Sequence, residues 1–390
     1  MSMFTDLISA FKGGGSARVP IARGFASPWA SAFEMRGASA PPFDYVTSLE
    51  AGYASNPVAQ RAVRIVAEGV GAAPVSTPET KDADELFALV TAPSAGQSLV
   101  ETIAAHLLLH GNAFIQILKD ASGRPVELFA LRPERVTIRP GPIGWPEAFA
   151  YHLGAQTHVI PLEDEDGWPE LIHLKCLNPG DDHYGAGALS AAAQAIAIHN
   201  AASRWNNALL ENAARPSGAL VYAPGDGQGL TADQFERLKA ELASAFQGQG
   251  NAGRPMLLEG GLSWQSMALS PADMDFATLK AAAARDIALA FGVPPMLLGL
   301  PGDNTYSNYR EANRALWRLT LLPLADKIFG GLAAGMAPWF SDAQIAVDLD
   351  RVPALSEDRE RLWKQVSEAD FLTPEERRAM LGLAPQEDPQ

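Results

Sequence analysis

Cysteine, aromatic residues and positive charge are all scarce in this chain of 390 residues. The single cysteine, Cys176, excludes an internal disulfide and any zinc site built from several cysteines. Cys176 lies in an alternating apolar stretch, residues 171–177, which is typical of a buried thiol. Aromatic residues make up 8% of the chain and charged residues 19%, against 47% hydrophobic residues, and this balance predicts a folded protein with a sizeable core.

Lysine and arginine are outnumbered by aspartate and glutamate, 30 to 45, which gives a formal net charge of −15. A protein that holds DNA tightly needs clustered basic side chains, because its affinity comes from neutralising phosphates and releasing counterions. The charge balance therefore argues against a tight, sequence-specific DNA-binding protein. Neither a secretory signal nor a membrane-spanning apolar run is recognisable, so we expect the chain to be made and assembled in the cytoplasm.

The N-terminal residues 1–45 are expected to form an arm. Residues 13–45 are rich in glycine, alanine, serine and proline and show little periodicity, so they predict an extended segment that is ordered only against a neighbouring subunit. Asn56 and Pro57 then predict a helix start, since asparagine is a good N-cap and proline suits the first helical position.

The first half of the chain is expected to have an α+β fold with antiparallel strands. A helix is predicted over residues 99–109, followed by alternating apolar and polar residues that indicate strands. The turn residues at 120–123 predict a hairpin, and further strands are expected up to His173.

Long helices are predicted in the second half. Residues 188–213 are nearly continuous helix formers, which predicts a helix of about 26 residues and roughly 39 Å. A second long helix is predicted over residues 271–291, with Ser270 as its N-cap. Between them lies a small β-rich insertion, residues 216–269, in which Thr231 and Gln234 fit a capping box at the start of a helix. This layout is awkward in one compact globule, whereas in a ring the helices could line a channel and the insertion could project at one end.

Helix signals continue towards the C-terminus. Gly292 and the prolines after it end the second long helix. Residues 309–336 predict a further helix of about 28 residues, kinked near Leu319 because Pro323 lies inside it. A strand is expected over residues 343–349, and two amphipathic helices are expected after it.

Motifs for catalysis or cofactor binding are missing from the sequence. It contains no Gly-x-x-x-x-Gly-Lys-Ser/Thr phosphate loop and no Gly-x-Ser-x-Gly nucleophile turn, and we expect no cofactor and no metal. His106 and His110 have the spacing of a metal pair, but no carboxylate accompanies them, which favours packed histidines. Asp181, Asp182 and His183 lie among turn residues and are interpreted as a loop that opens the first long helix.

Two other polar stretches are candidate sites. Asp348 and Asp350 alternate with an apolar residue, which favours the solvent-facing side of a strand end over a metal pair. Residues 300–308 form a polar loop in which Asp303 carries the charge. Its amide and hydroxyl groups could hydrogen-bond phosphate oxygens without arresting a moving polymer, but an ordinary helix connection has a similar composition, and both interpretations stay open.

Six short motifs, taken in their order and spacing, resemble the portal proteins of tailed bacteriophages and of the related gene transfer agents. Those proteins form the ring at one vertex of the head through which DNA passes. The resemblance covers roughly residues 50–350 and is greatest over residues 185–325. The motifs are His110-Gly111-Asn112-Ala113-Phe114, Gly185-Ala186-Gly187-Ala188-Leu189-Ser190, Arg215-Pro216-Ser217-Gly218, Gly253-Arg254-Pro255, Phe291-Gly292-Val293-Pro294-Pro295 and Asn304-Thr305-Tyr306-Ser307-Asn308.

The resemblance implies an elongated α+β subunit with a β-rich wing, long stem helices, a small α/β clip and a short helical crown, assembling as a ring. The implied segments are an N-terminal arm (1–45), the wing (46–184), the outer stem helix (185–215), the clip (216–269), the inner stem helix (270–293), the tunnel loop (294–309), a second wing segment with a long kinked helix and a strand (310–350), and the crown (351–390).

The resemblance also implies which residues face DNA and partners. The residues of the tunnel loop that face DNA would be Pro301, Asp303, Asn304, Thr305, Tyr306, Ser307 and Asn308. The residues of the clip that dock partners would be Arg215, Gly253, Arg254 and Pro255.

The implied assembly is a homo-oligomeric ring, expected to be a dodecamer, without catalysis and without a membrane partner. Double-stranded DNA passes through it non-specifically, and the net negative charge suits a conduit in which DNA must slide. The other implied partners are the large terminase, the head–tail adaptor and the major capsid protein. Two alternatives stay open: a non-portal oligomeric scaffold or adaptor of the same particle, and a cytosolic α+β enzyme.

Overall fold

The computed structural model describes residues 44–211, 218–222, 231–246, 262–266, 276–300, 306–341 and 344–382. Its helices are α1 (Tyr45–Leu49), α2 (Pro57–Gly71), α3 (Lys81–Thr91), α4 (Leu99–Leu109), α5 (Ala188–Glu211), α6 (Ala232–Phe246), α7 (Phe276–Ala290), α8 (Tyr306–Leu316), α9 (Leu322–Met336), α10 (Ser356–Glu368) and α11 (Pro374–Leu381). Its strands are β1 (Val75–Ser76), β2 (Pro93–Ser94), β3 (Gln97–Ser98), β4 (Asn112–Lys119), β5 (Pro125–Leu131), β6 (Val136–Pro140), β7 (Pro146–Leu153), β8 (Gln156–Pro161), β9 (Leu171–Lys175), β10 (Gly218–Tyr222), β11 (Leu262–Ser266) and β12 (Ala346–Val347).

All strand pairs in the described residues are antiparallel, which confirms the predicted pairing. Two three-stranded sheets have the orders β5-β4-β9 and β6-β7-β8. The predicted hairpin is β4–β5, and its turn is closed by the Asp120 side chain, which accepts from the backbone N–H groups of Ser122 and Arg124. In the insertion between the two long helices, β10 pairs with β11, with Gly218 opposite Ser266.

The buried apolar side chains form one large core and one smaller cluster. The large core lies where α2, α4, α7 and α9 pack around β4 and includes Ile103, Phe291 and Phe329. In the smaller cluster, Phe114 of β4 meets Phe149 of β7 edge to face, with ring centroids 5.8 Å apart. The two three-stranded sheets therefore share a core, and the helices cover the other side of the first sheet.

Several predicted helix boundaries are confirmed. Asn56 caps α2 by accepting from the N–H groups of Val58 and Ala59, and Pro57 is its first residue. At Thr231 and Gln234 the backbone N–H of each residue donates to the side chain of the other, the reciprocal bonding of a capping box at the start of α6.

The long apolar helix near the C-terminus is interrupted where proline predicts it. A π-helical turn, Trp317–Leu321, joins α8 to α9, and the Leu322 N–H donates to the Trp317 carbonyl. Pro323 has no N–H, and in a regular α-helix its ring would clash with the carbonyl of Leu319. A wider turn just before the proline relieves this clash. The kink predicted near Leu319 is thus a π turn at the same place.

By length and composition alone, the segment Ser307–Met336 could cross a membrane. Its apolar residues have another explanation, because Ala325, Ile328, Phe329 and Leu332 are buried in the large core. A third of the most apolar window of this segment is buried.

The predictions from the sequence were wrong in three places. The strand expected over residues 343–349 is reduced, among residues 344–349, to Ala346–Val347. A 3-10 turn follows it, in which Asp348 accepts from the Asp350 N–H and Asp350 forms an ion pair with Arg359 at 2.5 Å. Asp348 therefore stabilises the turn and Asp350 forms an ion pair. Neither aspartate lies on the solvent-facing side of a strand, where the sequence had predicted them to lie.

The second wrong boundary is that of the polar loop. The chain is helical from Tyr306, so Tyr306, Ser307 and Asn308 belong to the first turn of α8 and not to a loop that ends at residue 309. The third is an omission: α3 was not predicted, although Thr80 caps it by accepting from the Ala83 N–H.

Candidate functional site: the base of the two long helices

The predicted contact residues are only partly within the described structure. Arg215, Gly253, Arg254, Pro255, Pro301, Asp303, Asn304 and Thr305 lie outside the described residues, as do Ser270 and residues 1–43. Tyr306, Ser307 and Asn308 begin α8. What the structure does describe is the base of both long helices and the segments on either side of the polar loop.

The helix α5 begins at a crossing of two backbones. A Cβ atom on Gly185 would lie 2.1 Å from the carbonyl oxygen of Gly111, and one on Gly187 would lie 2.5 Å from the carbonyl oxygen of Leu109. Only glycine permits such an approach. Two of the motifs recognised in the sequence, at residues 110–114 and 185–190, therefore meet in space and join β4 to the start of α5.

Asn112 locks this crossing with its side chain. Its Oδ1 accepts from the Gly185 N–H at 2.7 Å and its Nδ2 donates to the Gly185 carbonyl at 3.1 Å. The same Oδ1 accepts from His173 Nε2 at 3.0 Å, and Nδ2 also donates to His110 Nδ1 at 3.1 Å. Asn112 is buried and fully bonded, so these contacts fix the position of the loop that leads into α5.

Replacing Asn112 with alanine is expected to lower the free energy of unfolding by about 2–3 kcal/mol, because the buried Gly185 N–H and carbonyl would lose their partner. Chemical denaturation of the purified chain measures this change. His152→Ala removes an exposed network to Thr137 and Thr157 and serves as the control, with an expected loss below about 0.5 kcal/mol. Equal effects of the two substitutions would show that Asn112 does not lock the crossing.

The histidines around Asn112 are packed, as predicted from the sequence. The His173 ring stacks on Phe114 with centroids 4.3 Å apart, and His110 meets Tyr45 edge to face at 4.7 Å. Burial lowers the pKa of His106 to about 4 and that of His173 to about 4. Both rings are therefore neutral at physiological pH. Among the described residues, no group of three or more His, Cys, Asp or Glu side chains could hold a metal ion.

The two long helices pack side by side. α5 buries Leu189, Ala192 and Ile196. Helix α7 contacts it and buries Ala283, Ala284, Ile287 and Ala288. Alanine on the buried faces lets the helix axes approach closely.

A polar contact fastens α5 to the rest of the chain near its middle. Asn56 Nδ2 donates to Asn200 Oδ1 at 2.8 Å and to the buried His199 Nδ1 at 3.1 Å. Asn200 Nδ2 in turn donates to the Ala51 carbonyl at 2.8 Å. The cap of α2 thus holds α5, so the predicted stem helix is anchored at two levels.

The polar loop begins from a rigid support. Gly292 follows α7 with φ +66°, and Thr320 Oγ1 of the π turn donates to its carbonyl at 2.6 Å. A 3-10 turn, Pro295–Leu298, then ends at Gly299 with φ +73°. The predicted stop of the helix at Gly292 is confirmed, and the chain enters the loop from a fixed position.

The far side of the loop is held by ion pairs. Arg310 and Arg314 of α8 each contact a different carboxylate oxygen of Glu357 at 2.8 Å. Asp358, also in α10, is a further acidic partner of Arg314 at 3.4 Å. These pairs join residues more than forty positions apart, so no local pattern in the sequence could have indicated them.

A second cluster that the sequence did not indicate braces the hairpin β4–β5. Lys119 Nζ contacts Asp164 at 2.6 Å and Glu170 at 2.8 Å, and it lies 5.3 Å from the ring centroid of Trp339. The Trp168 and Trp339 rings are 4.8 Å apart. The cluster ties β4 to the residues that follow α9 and is a structural brace.

The sequence of this chain matches a protein-family model and several known sequences. A family model described as phage portal protein matches residues 57–382. An uncharacterized protein of Rickettsia bellii (strain RML369-C) is 40% identical over 344 residues, 85% of this chain and 87% of the relative. A probable portal protein of Streptomyces phage phiC31 is 25% identical over 287 residues, 69% of this chain and 61% of the relative.

Solved structures resemble the chain along most of its length. A chain from the virion of a native gene transfer agent particle is 41% identical, with 99% of this chain and 100% of that chain covered and a TM-score of 0.67. A chain from the neck of the native particle, computed with C12 symmetry, is 44% identical, with 90% and 98% covered and a TM-score of 0.67. A portal protein of an HK97-family phage from Corynebacterium diphtheriae is 19% identical, with 78% and 96% covered and a TM-score of 0.57, and it shares the fold.

Proposed function

The chain belongs to the phage portal protein family, and from this premise we propose that it forms the ring at one vertex of a phage-like particle. DNA enters and leaves the particle through this ring. The single observation that carries the proposal is the match, at 44% identity, to a neck chain computed with C12 symmetry. We accordingly propose a ring of twelve copies, whose role is structural and not catalytic.

The packing of α5 against α7 supports a channel built from these helices. Each helix buries one face within the subunit and leaves the other exposed, as Ala197 and Ala201 of α5 and Ala282 of α7 illustrate. A neighbouring copy in a ring would cover such a face. The contacts at Gly185 and Asn200 fix the direction of α5, which a channel lined by many copies requires.

The DNA-facing role is proposed for the polar loop with the first turn of α8. The loop starts from the Gly292 support and ends at a helix held by Glu357, so its neutral side chains would be presented at a fixed radius. A net charge of −15 per subunit opposes lasting contact with phosphate, which favours sliding over binding. This division between weak polar contacts and overall repulsion suits non-specific passage of double-stranded DNA.

Partner docking is proposed for the segment between the two long helices. Residues 216–269 would form the clip. Gly253, Arg254 and Pro255 within it, together with Arg215 at the end of the outer stem helix, would form the contact surface for the large terminase and later for the head–tail adaptor. The described part of this segment is the β10–β11 pair with α6. The wing, residues 46–184, would face the major capsid protein.

Replacing both Asn304 and Asn308 with lysine is expected to lower the DNA content per particle at least about twofold, because ammonium groups on the loop would form ion pairs with passing phosphates. The measurement is the mass of DNA per purified particle. Ala379→Lys together with Met380→Lys adds the same charge at exposed positions of α11, for which no DNA or partner contact is proposed, and is the matched control. If both double variants package as much DNA as the wild type, residues 304–308 do not contact DNA.

A further inference from the structure

Glu357, the second residue of α10, fastens that helix to α8. One of its carboxylate oxygens accepts from Arg310 and the other from Arg314, both at 2.8 Å. The two arginines are four residues apart and therefore lie on one face of α8. An isolated ion pair at a surface contributes little to stability. One carboxylate that holds two arginines a helical turn apart does more, because it also restrains the rotation of α8.

The contact lies close to the part of α8 for which a DNA-facing role is proposed. Ser307, in the first turn of α8, is exposed. Arg310 follows it by three residues, which is roughly 5 Å along the helix axis. The same helix also packs against the 3-10 turn Pro295–Leu298. A restraint on Arg310 therefore acts directly on the first turn.

The helix α10 is itself held by contacts that do not involve α8. Arg359 donates from Nε and Nη2 to the two carboxylate oxygens of Asp350, at 2.5 and 2.9 Å. Trp363 Nε1 donates to the same carboxylate at 3.0 Å. Arg359 Nη2 also donates at 3.0 Å to the carbonyl of Leu381, the last residue of α11. A continuous path of polar contacts therefore runs from α11 through α10 to α8.

We propose that Glu357 is a positioning residue for the first turn of α8, and that the C-terminal helices α10 and α11 set where this turn stands. Glu357 acts through Arg310 and Arg314 and touches no DNA itself. The inference rests on the proposed function, because it gives the C-terminal helices a part in presenting the DNA-facing residues.

The charges around Arg314 allow Glu357 to be removed without leaving a buried charge unpaired. The Arg314 side chain is 16% exposed and also contacts Glu311 at 3.0 Å and Asp358 at 3.4 Å. Both carboxylates remain when Glu357 is replaced. Two further basic side chains line the groove with Asp358, and they remain as well: Arg318 and Arg361. Loss of Glu357 therefore releases the tether nearest to the first turn, at little cost in stability.

The first test measures the mobility of a nitroxide label at residue 307 by electron paramagnetic resonance. Cys176 is the single cysteine, so Cys176→Ala with Ser307→Cys gives one labelling site in the full chain. Glu357→Ala in this background is expected to raise the mobile fraction of the spectrum at least about twofold, since α8 loses the tether nearest to the label. Glu360→Ala removes an exposed carboxylate from the same helix and is expected to leave the spectrum unchanged.

Variants on both sides of Glu357 distinguish positioning from a purely structural role. Arg310→Ala is expected to match Glu357→Ala, and the double variant is expected to add little, because both changes remove the same contact. Arg359→Gln leaves the bonds of Glu357 intact but loosens α10, so it is expected to mobilise the label as well. Where Arg359→Gln does not fold, Arg359→Lys takes its place. The melting temperature of Glu357→Ala is expected to stay within about 2 °C of the wild type.

The second test measures packaged DNA. Particles that carry Glu357→Ala are expected to contain at least about twofold less DNA, with rings as abundant as in the wild type, because the DNA-facing turn is no longer held in one position. Particles that carry Glu360→Ala are expected to package the wild-type amount.

Each outcome decides between the proposals. An unchanged label spectrum in Glu357→Ala overturns the positioning role and leaves the portal function standing. A mobile label with a normal DNA content overturns the link to DNA passage. A label that Arg359→Gln does not mobilise overturns the part given to α10 and α11. A wild-type chain that forms no rings contradicts the proposed function, while the label still decides whether Glu357 positions α8.

Discussion

Gly185→Ala is expected to lower the free energy of unfolding by about 4 kcal/mol, a large effect for the addition of one methyl group. The new Cβ would lie 2.1 Å from the Gly111 carbonyl oxygen and 2.7 Å from the Cys176 backbone nitrogen. Both neighbours are backbone atoms just outside the paired strands β4 and β9, where the Cys176 N–H donates to the Gly111 carbonyl at 2.8 Å, so neither can move aside as a flexible side chain would. The structure can relieve the clash only by separating β4 from the start of α5, which also breaks the bonds to Asn112.

The matched control for this substitution is Gly330→Ala. Gly330 lies within α9, and a Cβ there would meet no atom within 4 Å. Alanine at this helical position is expected to leave stability unchanged or to raise it by about 0.5–1 kcal/mol. Chemical denaturation of both variants measures the difference. If Gly185→Ala were as stable as the wild type, the close crossing of the two glycine motifs would be wrong.

Acid is expected to destabilise the chain between about pH 6.5 and pH 4, through His106 and His173. The folded-state pKa of each is about 4, below the ordinary 6.5, because both rings are buried. As the pH falls through this range, the unfolded chain binds protons that the folded chain does not. The contribution of each neutral histidine to the free energy of unfolding is therefore fully present above pH 6.5. It is lost as the pH falls towards 4, and the loss is about 3 kcal/mol per histidine.

The contribution of the histidines to the pH dependence of stability can be separated from that of the carboxylates. Hydrogen bonding to Arg359 lowers the pKa of Asp350 below its ordinary 3.8, so this group loses its stabilising effect only under more acidic conditions. His106→Leu is expected to reduce the slope of stability against pH by about 1.4 kcal/mol per pH unit between pH 6 and pH 4.5. Denaturant titrations at a series of pH values measure the slope. An unchanged slope would mean that His106 is protonated in the folded chain.

Local patterns predicted most of the helices and the hairpin, because each depends on residues close together in the sequence. Asn56 with Pro57, the Thr231 capping box and Gly292 are signals of this kind, and all three act as predicted. The polar loop was predicted too long because Tyr306, Ser307 and Asn308 have the composition of a turn, yet they form the first turn of α8.

Contacts between distant residues could not be predicted from the sequence. Gly111 and Gly185 were recognised as motif residues, but only the fold shows that their backbones cross and that the Asn112 side chain bonds to Gly185 and to His173. Lys119 with Asp164, and Arg310 with Glu357, are brought together by the packing of separate elements. Charge patterns in the sequence do not distinguish such pairs from ordinary surface charges.

Electron microscopy of the purified full-length protein, together with its native mass, shows whether copies of this chain close into a ring with an open channel. We expect rings with a central hole wide enough for duplex DNA and a mass near twelve times 41.5 kDa, as the C12 symmetry of the related neck suggests. A stable particle of 41.5 kDa without a central hole, at concentrations where related rings assemble, would contradict it.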